Sequence, residues 1–455
     1  MRRMLLRKLF VGLCVVLMAC CFASMAEAEK GAKPNFIIIF TDDQGYQDLG
    51  CFGSPKIKTP NLDKMAENGT RFTSFYSANS VCSPSRAALL TGCYPPRTGV
   101  TTVLFPRNKN GLNKDVTTIA QMLKQKDYAT SCIGKWHLGH LPGHLPTDKG
   151  FDEYYGIPYS NDMTIDPNAA LAKDIVLRDG FTLEKMKNVK PSKNKVPLMR
   201  NSEVVEYPAD QTLLTQRYTA EALKFIRKNK ENPFFLYLPH TMPHIPLFAS
   251  EKFKGKSERG LYGDTIEEID WSVGEILGTL DELKLSEKTM VVYTSDNGPW
   301  QLPGGRGGCA FPLRGFKFGT YEGGMRVPCL MQWPGTIPAG KVCDELISTI
   351  DMYPTIAGLA GISTEGQTLD GLDVFGLMTG KTKSPREEFC YFKGTGIQAF
   401  RSGKWKLRKA GRKAELFNLE EDISEKTNLA ETNPELVDTL SKRMAELQAA
   451  IRSKK

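Results

Sequence analysis

Short apolar segments alternate with amphipathic segments along most of this sequence, and this alternation predicts an α/β domain with a mainly parallel sheet. The first predicted strand, residues 35–40, is almost wholly apolar, as expected of a strand buried on both faces. The other predicted elements are strands at 129–133, 234–238 and 290–294 and helices at 115–126, 215–228 and 265–283. Loops at the carboxyl ends of such strands gather along one edge of the sheet, where ligands bind. We therefore expect the functional residues in those loops.

The pattern changes near residues 361–373, beyond which short strands and one final helix are predicted. This change predicts a large mixed sheet flanked by helices and a smaller C-terminal antiparallel α+β domain. A chain of 455 residues is long enough for one large core and a small partner. The C-terminal elements are strands at 389–393, 398–401, 405–408 and 415–419 and a helix at 434–451. The predicted boundaries are 1–28 for a signal peptide, 29–365 for the larger domain and 366–455 for the C-terminal subdomain.

Residues 162–206 fit no clear element and are rich in Lys, Asn and Pro. We interpret them as a long excursion over the functional edge of the sheet. A surface insertion that the fold merely tolerates is the alternative interpretation.

The N-terminus has the pattern of a signal peptide. Basic residues within the first eight positions precede an apolar run over 9–23, and Ala26-Glu27-Ala28 offers a cleavage site. This pattern predicts an exported protein, periplasmic or secreted. Leu17-Met18-Ala19-Cys20 resembles a bacterial lipobox, which would anchor the chain through a lipid on Cys20, and an uncleaved anchor helix is a further alternative. No later segment is apolar for long enough to span a bilayer, so no membrane span is predicted.

Composition excludes several other classes of protein. The eight cysteines beyond residue 28 form no CxxC pair, which argues against a zinc ribbon or a thioredoxin motif. The net charge of +9 is a mild excess that slightly favours anionic substrates. Nothing in the sequence predicts a nucleic-acid partner.

Acidic residues directly follow two of the predicted strands. Asp42 and Asp43 come after the first strand, and Asp296 and Asn297 come after strand 290–294. Adjacent carboxylates at a buried edge repel each other unless a cation lies between them. Carboxylate and amide oxygens suit calcium or magnesium rather than zinc. One such group alone is more often a cap or a turn, but two at equivalent strand ends predict a cation site.

Cys82 begins the segment CSPSRAALLTG. Ser83 is a candidate N-cap, Pro84 suits the first helical position and Gly92 is a suitable helix stop. Cys82 is therefore expected at a helix N-terminus, where the dipole and the free N–H groups favour anions and can lower the pKa of a thiol. Arg86, one turn further on, would help to form a pocket for an oxyanion. The alternative is a buried structural cysteine.

Basic and imidazole side chains lie in three other predicted loops. Lys135 and His137 follow the second predicted strand, His244 follows the third, and Lys317 lies in the loop FKFGTYEGG. All five histidines of the chain lie in the first two of these loops. Groups of this kind beside a cation site and an anion pocket predict a hydrolase or transferase that acts on an oxyanion ester. The residue types alone do not separate sulfate from phosphate.

Taken together, these motifs resemble the sulfatase family of the alkaline-phosphatase-like superfamily. CSPSR followed by AALLTG is similar to the family motif in which the cysteine is oxidised to formylglycine, and GKWHLG is similar to the second family motif. TDD, SDNG and the Lys317 loop also fit. The resemblance runs from about Pro34 to Asn428, and GIPYS with residues 234–248 makes it closest to the arylsulfatase-A-like enzymes.

The resemblance implies a cofactor and a modified residue. The ligands of one Ca²⁺ ion would be Asp42, Asp43, Asp296, Asn297 and the modified Cys82. A formylglycine-generating enzyme would be a partner during maturation, when it converts Cys82 into the aldehyde. The aldehyde would be hydrated to a diol, and one hydroxyl would attack sulfur, so that sulfate can later leave as the aldehyde returns.

The resemblance also implies a role for each remaining residue. The groups that would hold the sulfate oxygens and the bridging oxygen are Lys135, Lys317, Ser160 and His244. His244 or Lys317 would protonate the departing alcohol, His137 would take a proton from the second hydroxyl of the diol, and Arg86 would hold its oxyanion. Export and the family together favour sulfated carbohydrates as substrates, with sulfated aromatic or lipid esters as alternatives.

Two other functions fit the same motifs. A phospho- or phosphono-ester hydrolase of the same superfamily would share the metal loops and the modified cysteine. A carbohydrate-binding relative without catalysis would share the fold. A two-zinc phosphatase is disfavoured, because the chain has too few histidines to serve as ligands.

Overall fold

A computed structural model describes residues 33–411 and 413–452. The predicted signal peptide, 1–28, and the alternative lipid site at Cys20 lie outside the described residues. Within those two ranges, no helix is both long enough and apolar enough to cross a membrane. The eight cysteines of the described chain are all free thiols.

Strands and short helices alternate through the described chain. The strands are β1 (Asn35–Thr41), β2 (Thr70–Phe72), β3 (Phe75–Tyr76), β4 (Ala129–Ile133), β5 (Glu153–Gly156), β6 (Leu171–Leu177), β7 (Leu198–Arg200), β8 (Glu203–Tyr207), β9 (Phe234–Pro239), β10 (Thr289–Ser295), β11 (Cys329–Gln332), β12 (Lys341–Cys343), β13 (Ile347–Ser348), β14 (Glu388–Lys393), β15 (Gly396–Ser402), β16 (Trp405–Ala410) and β17 (Lys413–Asn418). The α-helices are α1 (Pro60–Glu67), α2 (Cys82–Thr91), α3 (Pro95–Thr98), α4 (Ile119–Lys124), α5 (Leu183–Met186), α6 (Leu214–Lys228), α7 (Leu261–Glu282), α8 (Glu322–Met325), α9 (Met352–Leu359), α10 (Phe375–Met378) and α11 (Pro434–Arg452).

One mixed sheet of 11 strands forms the centre of the larger part of the chain, in the order β12-β2-β11-β10-β1-β9-β4-β5-β7-β8-β6. Its central strands, from β10 to β5, run parallel. Strand β1 is buried on both faces, because Phe36 and Phe40 pack in one apolar cluster while Ile37 and Ile39 pack in another on the opposite side. The predicted fold class is therefore confirmed.

The register of the parallel strands brings their carboxyl ends together. Thr41, the last residue of β1, pairs with Ser295, the last residue of β10. The acidic residues that follow each strand consequently leave the sheet side by side. Strands β9 and β4 run parallel beside β1, so the loops that carry the predicted histidines and Lys135 leave from the same edge.

The prediction that residues 162–206 contain no clear element was wrong. This segment includes the short helix α5 and the strands β6, β7 and most of β8. The three strands extend one side of the main sheet. The strand β6 lies at the edge of the sheet, and charged side chains such as Lys173 and Asp174 are exposed on it. Edge strands are often charged, so the apolar alternation that identifies a buried strand is missing here.

The helix predicted at 115–126 is shorter than expected. It begins after Thr118, whose hydroxyl accepts a hydrogen bond from the Gln121 backbone while the Gln121 side chain accepts one from Thr118. This capping box fixes the first turn at Ile119, so residues 115–118 lie before the helix.

Strands β14 to β17 form a separate antiparallel sheet, as predicted for the C-terminal part. Its apolar face packs with α11 and with residues of the larger part, including Tyr76 and Met325. The boundary between residues 365 and 366 remains a prediction.

Candidate active site

Cys82 is the first residue of α2, and every residue of that helix is buried. The residue before it, Val81, is extended and takes the N-cap position, so the prediction of Ser83 as the cap was wrong. The Ser83 hydroxyl instead accepts a hydrogen bond from the Leu104 backbone at 3.1 Å, which ties the helix to a neighbouring loop. Gly92 ends the helix in the left-handed conformation, with φ of 69°, as expected.

The four predicted metal ligands outside Cys82 lie together and are buried. The Asp43 backbone donates a hydrogen bond to Asp296 Oδ1 at 3.1 Å, and Asn297 Nδ2 donates to Asp43 Oδ1 at 2.7 Å. Asp43 has a φ of 66°, which turns the chain sharply at the end of β1. The geometry thus joins the two acidic pairs into one cluster at the edge of the sheet.

Arg86 crosses from α2 to this cluster and is fully buried. Its guanidinium donates to Asp296 Oδ2 from Nε at 3.0 Å and from Nη2 at 2.8 Å, and its Nη1 donates to the Lys135 carbonyl at 2.9 Å. Its Nη2 also lies 3.7 Å from Asp42 Oδ1. Arg86 therefore neutralises the carboxylates while it holds the loop that carries Lys135.

Two lysines approach the cluster from opposite loops. Lys135 donates to Asp42 Oδ2 and lies 3.3 Å from the Ser160 hydroxyl, and Lys317 donates to Asp43 Oδ2 at 2.8 Å. Gly134 permits the approach of the first loop, because a Cβ at this position would lie 1.9 Å from the carbonyl oxygen of Pro239. Asp42 and Asp43 thus each have one ammonium partner.

Burial and neighbouring charges shift several pKa values in the site. Burial opposes the ionisation of Asp42, but the surrounding cations, Lys135 foremost, hold the pKa of that carboxyl well below its usual range. Burial and the charge of Asp42 raise the pKa of Asp296 above its usual range. Burial also raises the pKa of the Cys82 thiol, which is opposite in direction to the lowering that a helix N-terminus can produce.

The donor atoms of the cluster fit a hard cation. Asp42 Oδ1 and Asn297 Oδ1 are buried and accept no hydrogen bond from any residue within 33–411 or 413–452. Asp42, Asp43 and His244 each bring one donor atom within 4.8 Å of the others. Calcium prefers oxygen to imidazole nitrogen, so the aspartates and Asn297 are the more suitable ligands.

His244 lies beside the acidic cluster, with its Nε2 3.7 Å from Asp43 Oδ2. Its Nδ1 faces two acceptors, the Ile245 carbonyl at 2.6 Å and Asn161 Oδ1 at 3.0 Å, so this nitrogen carries the proton. Burial and the charge of Lys317 lower the pKa of His244, which keeps the ring neutral. The role of Asn161 was missed, although its position directly after Ser160 was an available signal.

His137 is a buried neutral imidazole with one free nitrogen. Its Nε2 donates to the Leu104 carbonyl at 2.8 Å, and its Nδ1 has no hydrogen-bond partner among the residues that the structure covers. Burial and the charge of Lys135 place the pKa of His137 well below its usual range. The fixed tautomer leaves Nδ1 as a proton acceptor.

Trp300 is a further residue that sequence reasoning missed. Its ring centroid lies 5.7 Å from that of His244 and 4.7 Å from the Lys317 ammonium. The signal for it was its position two residues after Gly298, in the loop that follows β10.

Comparisons with known proteins agree with this geometry. Residues 34–362 match the family model described as Sulfatase, and residues 316–450 match the model described as N-sulphoglucosamine sulphohydrolase, C-terminal. Human arylsulfatase A is 41% identical over 383 residues, which are 82% of this chain and 74% of that protein. The N-acetylgalactosamine-6-sulfatase of the dog (Canis lupus familiaris) is 38% identical over 405 residues, which are 84% of this chain and 73% of that protein.

A solved structure shares the fold as well. Ps i-CgsB in complex with k-i-k-neocarrahexaose matches with a TM-score of 0.80 and 34% identity, over 92% of this chain and 93% of that chain. The family match covers most of the chain. It includes Cys82, the GKWHLG motif and the Lys317 loop, which meet at the edge of the sheet. This chain belongs to the sulfatase family.

Proposed function

We propose that this protein hydrolyses sulfate esters of carbohydrates, with a formylglycine made from Cys82 and one bound Ca²⁺ ion. The observation that carries the proposal is the position of Cys82. It begins a wholly buried helix beside a cluster of oxygen ligands and three cationic side chains, Arg86, Lys135 and Lys317.

The carbohydrate part of the proposal is supported by relatives. One of them is an N-acetylgalactosamine-6-sulfatase, and one solved neighbour, Ps i-CgsB, is in complex with k-i-k-neocarrahexaose. Sulfate esters of sugars are therefore the substrate class that we assign.

We infer that a formylglycine-generating enzyme modifies Cys82 during maturation. The hydrated aldehyde would supply a hydroxyl nucleophile at position 82, where burial raises the pKa of the unmodified thiol. Asp42, Asp43, Asp296 and Asn297 would hold the Ca²⁺ ion, which supplies a positive charge for the oxygens of the nucleophile and of the sulfate.

The chain's own groups would bind and orient the sulfate. Lys135 and Lys317 place ammonium groups on either side of the acidic cluster, and the Ser160 hydroxyl lies between Lys135 and His244. Such fixed donors stabilise charge that develops on the sulfate oxygens, because they need no reorganisation during the reaction.

The tautomer of His137 and the charge of Lys317 suggest one role for each residue. His137 would accept a proton through Nδ1, because its Nε2 is committed to the Leu104 carbonyl. Between the two groups proposed for the departing oxygen, His244 is neutral, whereas Asp43 raises the pKa of Lys317 despite burial and keeps it protonated. We therefore assign the hydrogen bond to the departing oxygen to Lys317.

The first test combines mass spectrometry and kinetics. Protein made in a host with the modifying enzyme is expected to show the aldehyde or its hydrate in the peptide that contains Cys82, and to release sulfate from nitrophenyl sulfate faster than phosphate from nitrophenyl phosphate. Cys82→Ala is expected to fold with an unchanged melting temperature and to release no sulfate. A fully active enzyme with a plain thiol, or a preference for the phosphate ester, would refute the proposal.

We also propose that the protein is exported, on the pattern of residues 1–28. N-terminal sequencing of the protein from the periplasm and the medium tests this. A mature N-terminus at Glu29 is expected, and a lipid-modified Cys20 in the membrane fraction would instead support the lipobox alternative.

A further inference from the structure

The loop that carries Lys317 turns two phenylalanine side chains towards solvent. Phe316 is 41% exposed and Phe318 is 46% exposed, whereas Lys317 between them is only 2% exposed. Exposed apolar side chains that lie together often mark a binding surface, because a ligand or partner that covers them removes apolar surface from water. The two rings therefore flank in sequence the lysine whose ammonium contacts Asp43.

The backbone holds this arrangement in place. Phe318 has a φ of 72°, a conformation that bulky residues rarely adopt. Its N–H donates to the Ser80 carbonyl at 3.0 Å, and the Lys317 N–H donates to the Pro299 carbonyl at 2.9 Å. Unfavourable backbone conformations persist where surrounding contacts enforce them, and they cluster at ligand sites.

Trp300 completes the cluster from the loop that follows β10. Its ring meets the ring of Phe318 edge to face, with centroids 5.5 Å apart and planes at 81°. It also lies 5.7 Å from the ring of His244, and the Lys317 ammonium lies 4.7 Å from its centroid. The rings of Trp300 and Phe318 thus form a nearly right-angled corner. This corner lies beside His244 and Lys317, which we propose contact the sulfate and the departing oxygen.

We propose that Trp300 and Phe318, with Phe316 beside them, form the subsite for the sugar ring that carries the sulfate. This inference rests on the proposed sulfatase function and names the part of the site that recognises the alcohol. A pyranose ring presents an apolar C–H face that packs on an aromatic ring, while its hydroxyl edge stays available to polar groups. This corner lies beside the Lys317 ammonium, to which we assign the hydrogen bond to the departing oxygen.

The test compares a ligand with a ring and a ligand without one. A panel of monosulfated pyranosides gives the best sugar substrate, and inorganic sulfate serves as a competitive inhibitor that probes the anion pocket alone. For Trp300→Ala and Phe318→Ala, we expect KM for the sugar sulfate to rise roughly tenfold more than the inhibition constant for sulfate. Trp300→Phe keeps a ring at this position and should restore KM to within roughly threefold of the wild type.

Trp271 provides a matched control on α7. Its ring lies 4.6 Å from the Lys252 ammonium and 5.9 Å from the Phe253 ring, so its surroundings are similar to those of Trp300. It lies on a helix that packs on α1 and α6, away from the proposed subsite. Trp271→Ala should change neither constant.

Three other outcomes would overturn the proposed subsite, in whole or in part. Equal effects on both constants in Trp300→Ala would show that the ring only supports the anion pocket, and would overturn the subsite. An equal or larger KM effect on a steryl sulfate than on the sugar would overturn the assignment to a pyranose. Cleavage of nitrophenyl sulfate but of no sugar sulfate would overturn the inference and leave the sulfatase activity intact, whereas cleavage of neither would overturn both.

Discussion

Arg86 donates two hydrogen bonds to a single oxygen of Asp296, from Nε at 3.0 Å and from Nη2 at 2.8 Å. Both side chains are fully buried, so neither charge can be solvated if its partner is removed. The pair connects the helix that begins at Cys82 to the loop that follows β10. This ion pair therefore joins the proposed nucleophile to the proposed metal ligands.

Arg86→Ala should strongly destabilise the protein. The change leaves a buried carboxylate without its partner, which lowers the free energy of unfolding by about 3–5 kcal/mol in comparable cases. Adding Asp296→Asn should recover part of this loss, because the orphaned charge is removed. Urea unfolding measures both, with Arg227→Ala in the exposed pair Arg227–Glu282 as the control that should show no measurable change. A loss as small as that of the control would contradict the assigned role.

Lys317→Ala should reduce the turnover of the folded protein, and it should also lower the free energy of unfolding, because it leaves the buried Asp43 without its ammonium partner. In the proposed mechanism the ammonium is a fixed donor to the departing oxygen, and removing one such donor lowers kcat on the order of 10²-fold. Sulfate release from nitrophenyl sulfate measures the effect. Lys252→Ala, which removes an ammonium over the Trp271 ring instead, is the control. A change below threefold would show that Lys317 does not act on the reacting group.

Much of the fold could be predicted because buried parallel strands are encoded locally. The segment 35–40 is apolar at consecutive positions, and only a strand covered on both faces needs that pattern. Once such strands are placed, the residues directly after them must share one edge, and Thr41 pairing with Ser295 fulfils this expectation for Asp42 and Asp296. The edge strand β6 was not predicted, because the exposed charged residues that protect a sheet edge interrupt the apolar pattern of a buried strand.

The details of the site depended on contacts that the sequence does not encode locally. Ser83 looks like a cap, but the loop at Leu104 engages its hydroxyl instead. A helix N-terminus can lower the pKa of a thiol, but burial raises the pKa of Cys82, and the sequence alone does not show that burial. The contact of Trp300 with Lys317 joins residues from two loops, and only the tertiary fold brings them together.

Calcium should stabilise the protein through Asn297. A ligand that binds only the native state adds about 2.7 kcal/mol to the free energy of unfolding when its concentration is 100 times Kd. We expect calorimetry after chelation to show a higher melting temperature when Ca²⁺ is added back, and Asn297→Leu to lose most of this shift. Asn229→Leu, another buried asparagine but at the end of α6, should keep it. An unchanged shift in Asn297→Leu would exclude that residue as a ligand.

Asp270 should make stability depend on pH. It accepts hydrogen bonds at 2.8 Å from Asn61 Nδ2 and from the Leu62 backbone, and burial raises its pKa from the usual 3.8 to about 6. The native state therefore binds this proton more tightly than the unfolded state. The stabilisation is complete below pH 3.8 and is lost as the pH rises to about 6.

Asp270→Asn removes this titration. Relative to the wild type, the variant should gain about 2 kcal/mol in its free energy of unfolding between pH 4 and pH 7, as measured by urea unfolding at each pH. The exposed Glu258→Gln should run parallel to the wild type. A constant difference between Asp270→Asn and the wild type across this range would contradict the prediction.

The C-terminal sheet should contribute to activity through Lys406. This fully buried ammonium lies 2.8 Å from Glu322 Oε1 in α8 and 2.8 Å from Glu425 Oε1 beyond β17. The Glu322 backbone also donates to Glu425 Oε2 at 2.7 Å. Because α8 follows the loop of Lys317 within five residues, this cluster fastens the C-terminal sheet to the active-site loop.

Lys406→Met should remove the ammonium that Glu322 and Glu425 share, which leaves Glu322 with the longer 3.5 Å pair to Arg326, and should lower the free energy of unfolding by about 3 kcal/mol. Burial raises the pKa of Glu425 to about 7 even with Lys406 present, so Glu425→Gln removes a charge that the protein holds weakly and should restore part of the stability. Turnover of the folded fraction should fall as well, because the Lys317 loop loses its support. Lys409→Met, on the same strand but exposed, is the control for both measurements. Full turnover in folded Lys406→Met would show that the cluster stabilises the fold without positioning Lys317.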